Sequence, residues 1–150
     1  MLQGQTMKIN QDYIKDLLCA FEETEGPDTL LTELENKGYQ RNDGEFIFHM
    51  RLLTDNKLIE RVDGEGGFGH LIYSNMVRGI NTSEYHWIIV PLRLTAKGHD
   101  FLSDIRQKDV WQAIKANFKE QGLGTLTSIA KSLAEAYAKK SIKNITGIDI

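Results

Sequence analysis

The 150-residue sequence contains a single cysteine, Cys19, which excludes an internal disulfide and any metal site built from several thiolates. It contains two prolines, Pro27 and Pro91, so both interruptions are informative about where elements end or bend. No run of about 18 apolar residues occurs, so nothing reads as a membrane-spanning helix. The opening MLQGQTMKINQDY lacks the basic stretch followed by an apolar one that marks a secretory signal. Residues 1–9 read as a flexible leader, and a cytoplasmic protein is the default expectation. His70, His86 and His99 lack metal-ligand spacing, and Ser74, Ser83 and Ser103 sit in no nucleophile motif. The expectation is a protein that is not an enzyme, with no metal and no cofactor.

A positive charge balance is missing as well. The net charge is −3, and residues 10–60 carry twelve acidic against five basic side chains, whereas residues 104–150 carry five acidic against eight basic. Attraction to phosphate is the main source of affinity for nucleic acid, so the acidic first half argues against tight, unassisted DNA binding. With 41% hydrophobic and 26% charged residues, the chain has the composition of an ordinary globular domain.

What is present is a succession of periodic segments. Residues 10–24 place Tyr13, Ile14, Leu17, Leu18 and Phe21 at helical spacing behind Asn10 as a cap. Gly26-Pro27 ends that helix, and Asp28 or Thr29 is expected to cap a short second one over TLLTELENK, burying Leu30, Leu31 and Leu34 and stopping at Gly38. The turn GYQRND leads to a third helix over about 43–56, with Asn42 or Asp43 as cap. Two short helices joined by a glycine-bearing turn are a helix-turn-helix candidate. Three β-type runs follow, LIERV, HLIY and YHWIIVPLRL, separated by DGEGGFG and SNMVRGINTSE, with Pro91 marking an edge or a bend. GEGGFGHL matches a kinase phosphate loop, but no strand Lys, H-R-D or D-F-G set accompanies it, so it reads as a flexible hairpin tip. Past Thr95, helices are expected with Phe101, Leu102 and Ile105 inward, then with Trp111, Ile114 and Phe118 inward. After a break at Gly122 and Gly124 comes a strongly amphipathic helix through Leu126, Ile129, Leu133 and Tyr137.

Two stretches carry a family likeness. HMRLLTDNKLIER (49–61) resembles the recognition helix of winged-helix regulators running into the wing, and LRLTAKGHDFLSDIR (92–106) resembles the segment that follows the wing. With VW at 110 and 111, the chain is similar to a bacterial and prophage-borne family catalogued as a domain of unknown function. The resemblance implies an α+β fold, a winged helix-turn-helix with a C-terminal helical extension. The expected organisation is a leader at 1–9, a winged-helix domain at 10–106, and an extension at 107–150 that packs on it or dimerises.

On the third helix, Phe46, Met50 and Leu53 form the core stripe and His49 points partly inward. Phe48 and Leu52 fall on the opposite side, where a DNA reader carries polar groups for base edges. Fully burying each would be worth about 1.5–3 kcal/mol, so a cover from the C-terminal helices or from a protein partner is expected. Arg41, Asn42, Arg61 and Arg78 are the candidate DNA contacts, with solvated turn or surface residues as the plainer alternative. Two functions stay open. One is a DNA-linked transcriptional regulator of prophage or mobile-element type, dimeric on duplex DNA and slightly favoured by fold likeness. The other is a protein-interaction module (inhibitor, adaptor or antitoxin-like) gripping a partner, or a second copy, through Phe48 and Leu52.

Overall fold

A computed structural model describes residues 6–148; residues 1–5 of the expected leader lie outside the described residues, and residues 6–10 carry no helix or strand. Among the described residues there are six helices and four strands: α1 (Gln11–Glu22), α2 (Leu31–Asn36), α3 (Gly44–Asp55), β1 (Ile59–Arg61), β2 (His70–Val77), β3 (Ile80–Trp87), β4 (Leu92–Leu94), α4 (Ala96–Arg106), α5 (Lys108–Asn117) and α6 (Leu123–Thr146). The fold is mixed α+β with two small antiparallel sheets. No described helix is long and apolar enough to cross a membrane.

Local chemistry explains three of the six helix starts among the described residues. The Asn10 side chain accepts from the Tyr13 amide at 3.1 Å, Asp43 from Glu45 at 3.0 Å, and Thr95 from Gly98 at 3.0 Å, each satisfying an amide that the helix leaves orphaned. The second helix departs from expectation: it begins after Leu30 with no side-chain cap. Thr29 is occupied otherwise. Its backbone exchanges hydrogen bonds with Leu92 (2.7 and 2.9 Å), and its hydroxyl reaches Thr24 at 2.9 Å. An extended pair on β4 outcompetes the local cap, and Leu30 stays only half-buried.

β1 and β4 pair in the register Ile59↔Leu94, Glu60↔Arg93 and Arg61↔Leu92, with Thr29 bridging Leu92. This ladder is anchored in the core, with Ile59, Leu92 and Leu94 buried beside Leu53 and Leu58. α4 is pressed so close to β1's approach that a Cβ on Gly98 would run into the Leu58 carbonyl. The C-terminal helices share the same core: Leu102, Ile105, Val110, Ile114, Leu126 and Ala130 are buried in one cluster with Leu17, Leu18 and Phe46. Polar ties reinforce the join, from Gln11 Nε2 to the Phe118 carbonyl (3.0 Å) and from Lys115 to Asp12 (2.6 Å). α5 ends one residue before Phe118, and α6 starts at Leu123, so Gly124 lies inside a helix where a break was expected.

The largest departure concerns the middle of the chain. SNMVRGINTSE is not a connector. It is most of an antiparallel ribbon in which β2 and β3 pair over eight residues each, from His70↔Trp87 to Val77↔Ile80. The turn is Arg78-Gly79, both at positive φ (52° and 79°), the two-residue geometry whose twist suits a hairpin. GEGGFG is therefore no hairpin tip; it connects β1 to the ribbon's base, with Phe68 buried. The expected long strand YHWIIVPLRL is interrupted at 88–91, between β3 and β4.

Candidate interaction surface

Two features are candidate contact surfaces: the outward side of α3 and the β2–β3 ribbon. At the inner boundary of the α3 side lies His49, expected to be partly inward and found 1% exposed. Its Nε2 accepts from the Asn10 amide at 3.0 Å and its Nδ1–H donates to the Glu45 carbonyl at 2.7 Å, while its ring stacks on Tyr13 at 4.4 Å. Both ring nitrogens are used in the neutral form, and burial holds its pKa below the ordinary histidine value. His49 joins α3 to the start of α1. The local field is negative: the Tyr13 hydroxyl is pushed to a higher pKa by burial first, then by Asp43 and Glu45.

Phe48 and Leu52 are half-buried. Leu52 packs at the margin of the core, and Phe48 meets the His49 ring edge-on at 5.1 Å. They point neither into the interior with Met50 nor fully into water. Arg51, about 60° around the helix from Phe48, is exposed, and the sequence reading passed over it. Its charge lies close enough to His70 to help depress that imidazole's pKa, behind the larger effect of burial. The ring contact between α3 and the ribbon base comes from the core stripe, Phe46 against Trp87.

The candidate arginines fare differently from one another. Arg41 forms a forked pair with Glu35 (2.8 and 2.9 Å), which lowers the carboxyl's pKa through the hydrogen bond. Arg61 is held in the same way by Asp63 (2.6 and 3.0 Å), and Arg93 by Glu60 at 2.6 Å. Such charge-assisted forks mean that a phosphate must first displace a carboxylate. Asn42 is exposed in the turn before α3, and Arg78 is exposed at the ribbon tip, about 25 Å from its base at the usual strand rise. Among the described residues Arg51 and Arg78 have no ion pair.

The ribbon itself is anchored by an aromatic ladder. Phe46 in the core stacks on Trp87 (6.3 Å), Trp87 on His70 (4.5 Å) and His70 on Tyr85 (4.9 Å). Beyond this base every described side chain from Ile72 to His86 is exposed. The exposed groups include Met76 (70%), Ile80 (64%), Tyr85 (61%), Val77 (56%) and Ile72 (55%). By strand alternation Ile72, Met76 and Tyr85 lie on one face and Tyr73, Val77 and Ile80 on the other. Neither face is therefore an ordinary water-facing one. A pattern of equal β-type arms around an Arg-Gly turn was the available signal, masked by Ser, Asn and Thr scattered through both arms.

The sequence profile of a family of hypothetical proteins, DUF2513, matches residues 8–124. The chain belongs to this family. An uncharacterized protein of Haemophilus influenzae (strain ATCC 51907 / DSM 11121 / KW20 / Rd) is 28% identical over 138 residues, covering 91% of this chain and 99% of its own. No solved structure matches. The match to DUF2513 extends from just before α1 through the start of α6 and takes in α3 and the ribbon. No group of three His, Cys, Asp or Glu among the described residues is arranged to hold a metal ion.

Proposed function

We propose that the protein is a non-catalytic recognition module on a winged helix-turn-helix scaffold, and that it grips a partner protein with its ribbon and the outward side of α3. The scaffold reading rests on element order: three helices, then β1, a long ribbon, and β4 returning to pair with β1 while Thr29 joins from between α1 and α2. The observation that carries the function is the ribbon's exposed apolar content. Contiguous exposed apolar groups mark contact surfaces in monomeric proteins, and a two-stranded hairpin is marginal without support. Its open strand edges also offer backbone groups for strand addition. The paired states of Arg41, Arg61 and Arg93 favour a protein over a polyanion.

A photo-crosslinking side chain placed at Met76 is expected to give one discrete adduct in cells, and Ile72→Lys on the same ribbon face to reduce it at least tenfold. Absence of any adduct, with the chain folded, overturns the reading.

A second reading, a DNA-linked transcriptional regulator, is favoured by the exposed Arg51 and Arg78, which have no ion pair among the described residues, and by exposed Asn42 in the turn before α3. It predicts duplex binding at low salt that weakens steeply as salt rises and is lost in Arg51→Ala/Arg78→Ala. Silence at low salt removes it.

A further inference from the structure

A second open surface lies between α4 and α6, where a groove of about 740 Å³ runs along both helices. Its floor contains buried Phe101 and Ala134, and its α6 side offers the small residues Gly124, Ser128 and Ala138. The rims bring together Asp100 and Asp104 from α4 and Glu135 from α6, with Lys97 and Lys131 beside them. The Asp104 carboxyl is held at a raised pKa, by burial first, then by Asp100 and Glu135, against a smaller opposing effect of Lys131. Among the described residues no ion pair reaches Asp100, Asp104 or Glu135. A cation brought from outside would relieve this crowding.

The same chain carries a segment of complementary chemistry. Residues 136–146, AYAKKSIKNIT, hold three lysines and no acid. At helical periodicity Ala138, Ser141 and Ile145 continue the face of Ala130 and Ala134, which is buried earlier in α6. Past Tyr137 this face has left the body, and every described side chain from Ala138 onward is exposed, Ile145 by 82%. The α6 wall of the groove spans about 21 Å and the basic segment about 15 Å, at 1.5 Å rise per residue.

We propose that the distal part of α6 docks in the α4–α6 groove of a second copy of this chain, reciprocally, making a two-fold dimer. Ile145 and the small residues beside it lie on the groove floor. Lys139 and Lys140 leave the helix on opposite flanks, about 130° from that face, and their long stems reach back to the acidic rims. Because each chain has one groove and one distal segment, the exchange closes on itself as an isologous pair. The surface is separate from α3 and the ribbon, so it neither needs nor tests the partner reading above.

Sedimentation equilibrium of the full chain tests it. The wild type is expected to dimerise at micromolar concentration, more weakly as salt rises. Lys139→Glu/Lys140→Glu makes both segment and groove negative, and Asp100→Lys/Glu135→Lys makes both positive. Each variant alone is expected to associate at least tenfold more weakly, with an unchanged circular dichroism spectrum. Mixed in equal amounts they are expected to recover dimer, because each reversed segment then meets an opposite groove. Rescue on mixing cannot come from two misfolded chains. A monomeric wild type, a dimer indifferent to Lys139→Glu/Lys140→Glu, or failure of the mixture to recover overturns the proposal. So does a dimer lost to Ile80→Lys with the α6 variants intact, which puts the interface on the ribbon.

Discussion

The chain builds two antiparallel ladders of opposite character. β1 and β4 pair over three residues, and Ile59, Leu92 and Leu94 are at most 5% exposed. β2 and β3 pair over eight residues, yet their apolar side chains stand 49–70% exposed along most of that length. The short ladder is held by what it leans on, since burial of each large apolar side chain contributes about 1.5–3 kcal/mol. The long ladder has only its own cross-strand pairs, worth about 0.2–1 kcal/mol each, and the aromatic stack at its base. Length of pairing thus says little about stability; backing by a core says much. A chain that leaves its longest apolar ribbon without backing is equipped to place it against something else.

The contrast is open to direct attack. Leu94→Ala in the short ladder is expected to cost about 3 kcal/mol, the usual scale for a cavity in a core, measured by urea denaturation. A loss below about 1 kcal/mol would mean that the short ladder is not the better supported of the two.

His49→Phe, between the ladders and α1, is expected to cost about 2 kcal/mol by leaving the Asn10 amide without its acceptor. It also bears on pH. Burial keeps the folded-state pKa of His49 below its ordinary value of 6.5, and His70 at the ribbon base is shifted the same way. The unfolded chain therefore takes up protons first, so stability is full above about pH 6.5 and declines as pH drops toward the folded-state values. Thermal melts across this window are expected to show a shallower acid decline in His49→Phe, with His70 supplying the remainder. An identical slope in variant and wild type would remove His49 from the account.

The smallest effect is expected on the long ladder. Ile80→Thr should change stability by less than about 0.5 kcal/mol, as for most exposed positions, while weakening partner capture. If it instead unfolds the protein, the ribbon is a structural element and the comparison fails.

How far these features were legible follows from the range of the forces behind them. Helical periodicity and capping act within four residues, so α1, α3, α4 and the amphipathic stripe of α6 could be read directly, with Asn10 as a cap and Asp43 as one of two candidates. Arg61 sits two residues from Asp63 and Arg41 six from Glu35, near enough in the chain to meet; composition alone does not say whether such neighbours pair or turn outward. The ribbon escaped notice because its Ser, Asn and Thr positions have the composition of a loop, and cross-strand pairing of Asn81 with Met76 depends on a turn, not on residue type. His49 shows the same limit: its acceptor role for Asn10 spans 39 residues of sequence.

By itself the sequence determined the helices that line the core, the acidic bias of the first half and the basic bias of the last helix, because each is a sum over neighbours in the chain. Only the tertiary structure decided that Thr29 would leave its helix to pair with β4, that four arginines would be paired with carboxylates, and that one ladder would be sheathed while the other stands in water. Those outcomes depend on which distant groups compete for the same hydrogen bond, charge or patch of apolar surface, and that competition is resolved only when the whole chain has packed.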